Sequence, residues 1–255
     1  MPIGFSLTSN WGKEIHRGYD EFGAIRVFDD GNKLYLSFDS IHEQSCQHKA
    51  QPHRLMHEYT RAMLTPLVYH QPRHVTMLGL GGGSLLHCLH HGFPEIRFQI
   101  VELRPDIVSI ARQIFRIPED ERVDIQVNDA GLFLAEAPAS CTDFLLCDIY
   151  HAEGMDAQQA QFRFIRHCHR LLTDDGWIAI NYSHHSECPP EVLSFIAGHF
   201  SNIRICTVSS GNRILTASKR ALVLNEKEAL LRGKALNDLL GYPLTKYLKR
   251  AKKIS

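Results

Sequence analysis

The chain has 255 residues, room for one sizeable domain with at most a small appendage, and its 44% hydrophobic and 22% charged content is that of a globular protein. Formal net charge is zero, so no global charge argues for nucleic acid, and no apolar run approaches the ~18 residues of a membrane helix. The N-terminus "MPIGFSLTSNWGKE" lacks the charged-then-apolar order of a signal peptide.

The seven cysteines are odd in number, never stand at C-x-x-C spacing, and several lie in apolar runs. Reduced thiols packed as small hydrophobes, in the cytoplasm, are the expectation. Sixteen histidines is a high count, but His90-His91 and His184-His185 are adjacent pairs, not the spaced sets of a zinc site. They read as surface or packing residues, and no metal is expected.

Residues 1–50 alternate apolar and polar side chains. "AIRVFDDGNKLYLSF" predicts two strands joined at Asp30-Gly31, a strong hairpin signal. In "HRLMHEYTRAMLTPLVYH", Leu55, Tyr59, Met63 and Leu67 recur every fourth residue and predict one helical face. From residue 75 the pattern becomes strand and helix in alternation. The strands are "HVTMLGL", "RFQIVEL", "RVDIQVND", "DFLLCDI" and "GWIAINY"; the helices fall near 84–92, 105–116, 130–136, 156–173 and 190–199. Such alternation predicts an α/β fold with a doubly wound, Rossmann-like parallel sheet. "NIRICTVSSGNRILTASKRALVL" then predicts an antiparallel hairpin that closes the sheet around Ser210-Gly211-Asn212. Residues 226–253 have helical propensity and a basic end. Lys246, Lys249, Arg250, Lys252 and Lys253 stand there without an acid, which leaves the rest of the chain at −5. The tail reads as solvated or packed on a partner, not as a membrane or nucleic-acid binder. The predicted organisation is a β region over 1–50, an α/β domain over 51–225 and a helical basic tail over 226–255.

The chemistry gathers at the predicted strand ends. "MLGLGGGSLLH" follows an apolar strand with Gly79, Gly81, Gly82 and Gly83 and opens a helix. Glycines there turn the backbone tightly and let a ligand approach where a Cβ would stand. Glu102 ends the next strand, 19 residues after Gly83, where a carboxylate can accept hydrogen bonds from both ribose hydroxyls. The pair points to an adenosine-type nucleotide. Ser84 stands where a dinucleotide fingerprint would have its third Gly or Ala, so the loop reads as G-x-G-x-G, suited to a ligand without a pyrophosphate. No Gly-Lys-Ser/Thr is present, so ATP-driven chemistry is not indicated. Asp129-Ala130 ends the third strand, where Asp129 can accept from an adenine amino group, cap the following helix, or both. Asp148 ends the fourth. Open α/β sheets bind ligands at these carboxyl ends.

The order Gly-rich loop, Glu102, Asp129-Ala130 and Asp148 resembles the class I S-adenosylmethionine-dependent methyltransferase fold. More closely it resembles the polyamine aminopropyltransferases, the spermidine synthases and their relatives, over roughly residues 20–225. "GAIRVFDDGNKLYLSFDSIHEQS" resembles that family's N-terminal hairpin region, with Gln44 at a position like its nucleoside-contacting Gln. "RLMHEYTRAML" resembles its Tyr-His-Glu helix, with Met56 for Tyr and His57 retained. "RHVTMLGLGGGSLL" resembles its glycine loop, and "GNRILTAS" its closing strands.

The resemblance implies S-adenosylmethionine or its decarboxylated form as co-substrate and a small-molecule amine as acceptor. It implies binding by Gln44, His57, Gly79, Gly81, Gly83, Glu102, Asp129 and Ala130, with Asp148 and His151 at the reacting centre. It also implies a homodimer, for which exposed apolar residues in the first fifty could supply the interface. Two departures stand out. The family's fourth strand ends Asp-x-x-Asp, whose last Asp deprotonates the attacking amine; here the run is Asp148-Ile149-Tyr150-His151. The family's loop Asp, which pairs with the donor's amine, is replaced by Gly82. Loss of that charge admits the carboxylate of intact S-adenosylmethionine. A neutral His151 can serve as a base but does not hold a cation as a carboxylate does, so it reads either as base or as a binding or filler residue. Glu153 and Asp156 are nearby acids that can compensate electrostatically. Three functions follow: aminopropyl-type transfer, methyl transfer on the same scaffold, and nucleoside binding without catalysis.

Overall fold

The computed structural model describes residues 11–38, 43–152, 154–182, 188–221 and 225–254; Glu153 and the His184-His185 pair lie outside them. Four antiparallel strands open the chain: β1 (Lys13–Asp20), β2 (Gly23–Asp29), β3 (Lys33–Ser37) and β4 (Ser45–His48), paired in that order. The β2–β3 turn is the expected one. Gly31 takes φ +97°, and the Asp29 and Asp30 carboxylates accept from the Gly31, Asn32 and Lys33 amides at 2.7–2.9 Å. Side-chain acceptors of this kind are why Asp-Gly nucleates a tight turn.

The helix expected from residue 53 is shorter than its periodicity. It is α1 (Glu58–Met63), followed by a 3₁₀ turn over Thr65–Val68. Pro66 has no N–H to continue the ladder, so the chain tightens there. Leu55, Met63 and Leu67 are buried all the same.

The main sheet follows. Its strands are β5 (His74–Leu78), β6 (Arg97–Glu102), β7 (Val123–Val127), β8 (Thr142–Cys147), β11 (Leu172–Tyr182), β12 (Ser201–Thr207), β13 (Arg213–Ser218) and β14 (Lys252–Lys253), with the minor pair β9 (Tyr150–His151) and β10 (Gly154–Met155) beside it. The order is β14-β12-β13-β11-β8-β5-β6-β7. Strands β11, β8, β5, β6 and β7 run parallel, whereas β13 and β12 form the antiparallel closing hairpin. Helices α2 (Ser84–Gly92), α3 (Pro105–Gln113), α4 (Ala130–Glu136), α5 (Phe162–Leu171) and α6 (Pro190–His199) lie between strands.

The central strands are apolar on both faces because both faces are covered. Val75, Met77, Ile100 and Leu146 join the core beneath α2, and Leu78, Val101, Leu145 and Cys147 join the core beneath α5. The N-terminal sheet packs Ile25, Val27 and Leu36 against Ile107 and Ile110 of α3 and Phe115 beyond its end. That contact seats it over the carboxyl ends of β5 and β6.

Residues after 225 form α7 (Glu226–Leu240) and α8 (Leu244–Arg250), separated at Gly241, which takes φ +71°, and at Pro243. Tyr242, Leu244 and Tyr247 are buried in the main core, and β14 extends the sheet beside β12. The tail therefore docks on this chain's own fold, with Lys246 and Arg250 near Glu58 and Lys249, Lys252 and Lys253 exposed. All seven cysteines are free thiols, and no helix among the described residues is long and apolar enough to cross a membrane.

Two glycines test the packing in opposite directions. Gly79 takes φ +93°, and a Cβ there would stand 2.3 Å from the Asp148 carbonyl oxygen. Gly79→Ala is expected to cost about 2 kcal/mol or more, seen as a lowered thermal midpoint. Gly198 in α6 has nothing within 4 Å of such a Cβ, so Gly198→Ala is expected to stabilise by roughly 0.5–1 kcal/mol.

Candidate functional site

A cleft of about 710 Å³ opens at the carboxyl ends of β5, β6, β7, β8 and β11, under the N-terminal sheet. Every residue expected to bind or react lines it: Gln44, His57, Gly79, Gly81, Gly83, Glu102, Asp129, Ala130, Asp148 and His151. Strand polarity explains the gathering, since parallel strands deliver all their carboxyl ends to one edge.

The donor-type half is built around Glu102. Its carboxylate is buried, accepts from Leu80 N–H at 2.9 Å on one oxygen and from Arg104 N–H at 3.0 Å on the other. Burial raises its pKa, while the backbone donors and the Arg104 charge pull the other way. A carboxylate offers about four lone-pair sites, so acceptor capacity remains for a ligand's hydroxyls. Gly81 takes φ +53° and Gly83 φ +73°, and a Cβ on Gly83 would meet Ile117 at 2.3 Å. The Gly82 N–H donates to Ser45 Oγ at 2.9 Å, which ties the loop to β4. A Cβ at Gly82 would touch Ser45 and Phe115 at 3.0 Å, so the loop has no ready space for an acid. Asp129 caps α4, accepting from Leu132 N–H at 2.9 Å, and still faces the cleft.

The other half centres on Asp148. Asn181 Nδ2 donates to it at 2.8 Å, and the Tyr59 hydroxyl is hydrogen-bonded to it as well. Asn181 is itself held by Asn212 Nδ2, which donates to its side-chain oxygen at 3.0 Å. Burial raises the Asp148 pKa, against the pull of Asn181, His57 and Tyr59. Tyr59, Asn181 and Asn212 were not singled out from sequence. Tyr59 belongs to a helical packing period in the sequence, and Asn181 is one polar residue in an apolar strand, which is the mark that singles it out.

His151 does not face the centre as an unengaged base. Its Nε2 lies 2.8 Å from Asp156 Oδ2, and its ring stacks on Phe22 at 6.4 Å. Donating a hydrogen bond to the Asp156 carboxylate raises the His151 pKa above its usual 6.5, and the same contact, with the Gln158 donors, holds Asp156 down to about 2. His151 thereby links the strand-end loop to the β1–β2 turn. Arg104 makes a second link: its Nε and Nη2 grip the Asp20 carboxylate at 2.8 Å, and Nη2 also donates to the Gly23 carbonyl at 2.8 Å. The guanidinium lies 4.8 Å from the Phe38 ring that walls the cleft. Glu43, Cys46 and His57 bring potential metal-ligating atoms within 4.8 Å of one another. Glu43 and His57 already pair at 2.8 Å, and burial pushes the Cys46 thiol up to about 12, which disfavours the thiolate a metal needs.

Strand order, closing antiparallel hairpin and glycine turn define a Rossmann-like α/β fold of the methyltransferase type. Within that class, residues 56–208 match the spermine/spermidine synthase domain, and the chain belongs to that family. A polyamine aminopropyltransferase of Neisseria meningitidis serogroup A is 30% identical over 166 residues, covering 63% of this chain and 62% of that protein. The chain thus matches about three fifths of that relative's length. Among solved structures, a probable spermidine synthase from Corynebacterium glutamicum superposes with a TM-score of 0.75 at 22% identity, covering 95% of this chain and 90% of that one. Human methyltransferase-like protein 13, solved with SAH, superposes with a TM-score of 0.59 at 22% identity, covering 72% and 90%. At such identities the two structures speak to fold alone.

The His151–Asp156 pair makes a titration measurable. Both groups are charged from just above the Asp156 value of about 2 up to the raised His151 value. The ion pair is lost as pH rises through the His151 pKa or falls through that of Asp156. An NMR titration of the His151 ring is expected to show a midpoint above 6.5, moving back toward 6.5 in Asp156→Asn.

Proposed function

We propose that the protein is a transferase of the spermidine synthase type, which binds an S-adenosyl donor against Glu102 and the glycine loop and moves its aminopropyl-type group to an amine. The observation that carries this reading is the partly buried Asp148, hydrogen-bonded by Asn181 and Tyr59, in the same cleft as Glu102. An ammonium has no lone pair, so the acceptor must lose a proton before it attacks. Asp148, its basicity raised by burial, receives that proton. The amine nitrogen then bonds to the methylene carbon beside the sulfonium, the carbon–sulfur bond breaks with its electron pair on sulfur, and a neutral thioether leaves. Asn181 and Tyr59 orient the carboxylate. His151, engaged by Asp156, acts on the closure of the cleft, not on the proton. A homodimer through the β1 edge, where Ile15 and Tyr19 are exposed, belongs to the same reading.

Methyl transfer from intact S-adenosylmethionine is the second reading, and Gly82 favours it, since no loop acid opposes the donor carboxylate. Calorimetry with S-adenosylmethionine, its decarboxylated form and methylthioadenosine separates the two. Tight binding of the decarboxylated donor alone removes methyl transfer; absence of all three removes both.

Glu102→Ala is expected to abolish methylthioadenosine binding while His151→Ala keeps it, and equal loss in both would refute this division of roles. Asp148→Asn is expected to leave that binding in place and cut turnover by about 10²–10⁴-fold, measured with the donor that calorimetry selects.

A further inference from the structure

An amide side chain has two ends, an oxygen that accepts and an NH2 that donates, and its neighbours decide which way round it sits. Asn181, almost fully buried near the carboxyl end of β11, turns its Nδ2 to Asp148 Oδ1 at 2.8 Å. Rotated by half a turn, the same side chain would face Asp148 with its oxygen, and two acceptors share that distance only when the acid is protonated. What fixes the orientation lies in the turn between β12 and β13. Asn212 Nδ2 donates to Asn181 Oδ1 at 3.0 Å, the Asn212 amide also donates to the Tyr150 hydroxyl, and Ser210 Oγ donates to Asn212 Oδ1 at 2.7 Å. The donors thus run one way, from Ser210 through Asn212 and Asn181, and end on the carboxylate.

Strand register delivers Asn212 to this place. β11 pairs with β13 so that Asn181 stands opposite Ile214 and Tyr182 opposite Arg213, which hangs the turn over the carboxyl end of β11. Gly211 takes φ +91°, the Val208 N–H donates to the Asn212 carbonyl at 3.0 Å, and the Ser209 N–H donates to Glu58 Oε2 at 2.9 Å. Glu58 is bonded in turn by Lys246 of α8, so the turn is held from the side of the C-terminal helices as well.

We infer that Asn212 is a positioning residue for Asp148: it locks Asn181 with its N–H toward the carboxylate, in the orientation that favours the proton-accepting form. The chemical consequence rests on the proposed transferase reading; the orientation itself does not. Burial opposes the charged form of a carboxyl group, and a hydrogen bond from a fixed donor to the charged form offsets part of that opposition. The titratable groups facing Asp148 are His57 and Tyr59 at the start of α1, Tyr150 of β9 and the adjoining Cys147 of β8. Asn212 acts beside these, through Asn181.

The test titrates the full, ligand-free chain carrying ¹³C-labelled aspartate and follows the Asp148 carboxyl signal, identified by its loss in Asp148→Asn. Asn181→Ala is expected to raise the Asp148 midpoint by about one pH unit, the worth of one hydrogen bond to a charged group. Asn212→Ala is expected to raise it comparably. So is Asn212→Ser, which suits a turn but ends one bond short of Asn181. In the Asn181→Ala background either Asn212 substitution is expected to add nothing, because the path to Asp148 is already cut. Thermal midpoints check that the variants fold; a merely structural role would lower those midpoints and leave the Asp148 titration in place. A titration unmoved by both Asn212 variants, or moved equally with and without Asn181, would overturn the inference. Since no donor or acceptor is present, failure of the S-adenosyl compounds to bind would strike the transferase reading and leave this result standing.

Discussion

The buried carboxylate of Glu102 is the constraint on which the rest of the site depends. A charge taken out of water must be satisfied by fixed donors, and here the donors are the backbone N–H groups of Leu80 and Arg104. Meeting that need holds the glycine loop at one end and the start of α3 at the other. Because Leu80 lies inside the loop and Arg104 stands two residues beyond the end of β6, one carboxylate sets the spacing between two strand ends. The loop's positive φ angles and its contact with Ser45 then follow from a backbone with little other choice.

A second layer of restraint comes from the N-terminal sheet. Arg104, itself almost fully buried, reaches back to the partly buried Asp20 in a two-point ion pair, and His151 reaches the same region through Phe22. Removing one partner of a buried pair leaves an uncompensated charge, which is far costlier than losing an exposed bridge. The sheet over the cleft is therefore bonded to the residues that form the cleft's floor. Placement of Gln44, Ser45 and Phe38 over the donor half is a consequence.

On the acceptor side the distribution of partners separates the acids. Carboxylates of similar intrinsic acidity take different roles according to what faces them: cations at Glu58 and Asp156, amide and hydroxyl donors at Asp148. Burial raises the Asp148 pKa and ion pairing lowers those of Glu58 and Asp156. In the proposed reaction Asp148 is then the carboxylate suited to taking a proton, while Glu58 and Asp156 are committed to ion pairs.

Much of this was legible in the residues. The change from alternating to strand-helix patterning marks the α/β sheet, because side-chain period follows backbone geometry. The glycines, Glu102, Asp129 and Asp148 could be ordered along the cleft because parallel strands share an edge. The helix predicted from residue 53 overruns α1 because the apolar spacing continues through Pro66, where the helical ladder cannot. The partners were not legible. Tyr59 and Asn181 meet at Asp148, Arg104 meets Asp20, and Lys246 meets Glu58 across 188 residues of chain. Periodicity, turn chemistry and strand ends are local properties and can be read in order. Which charge faces which depends on how distant segments pack, and that packing decided which acid is available for chemistry.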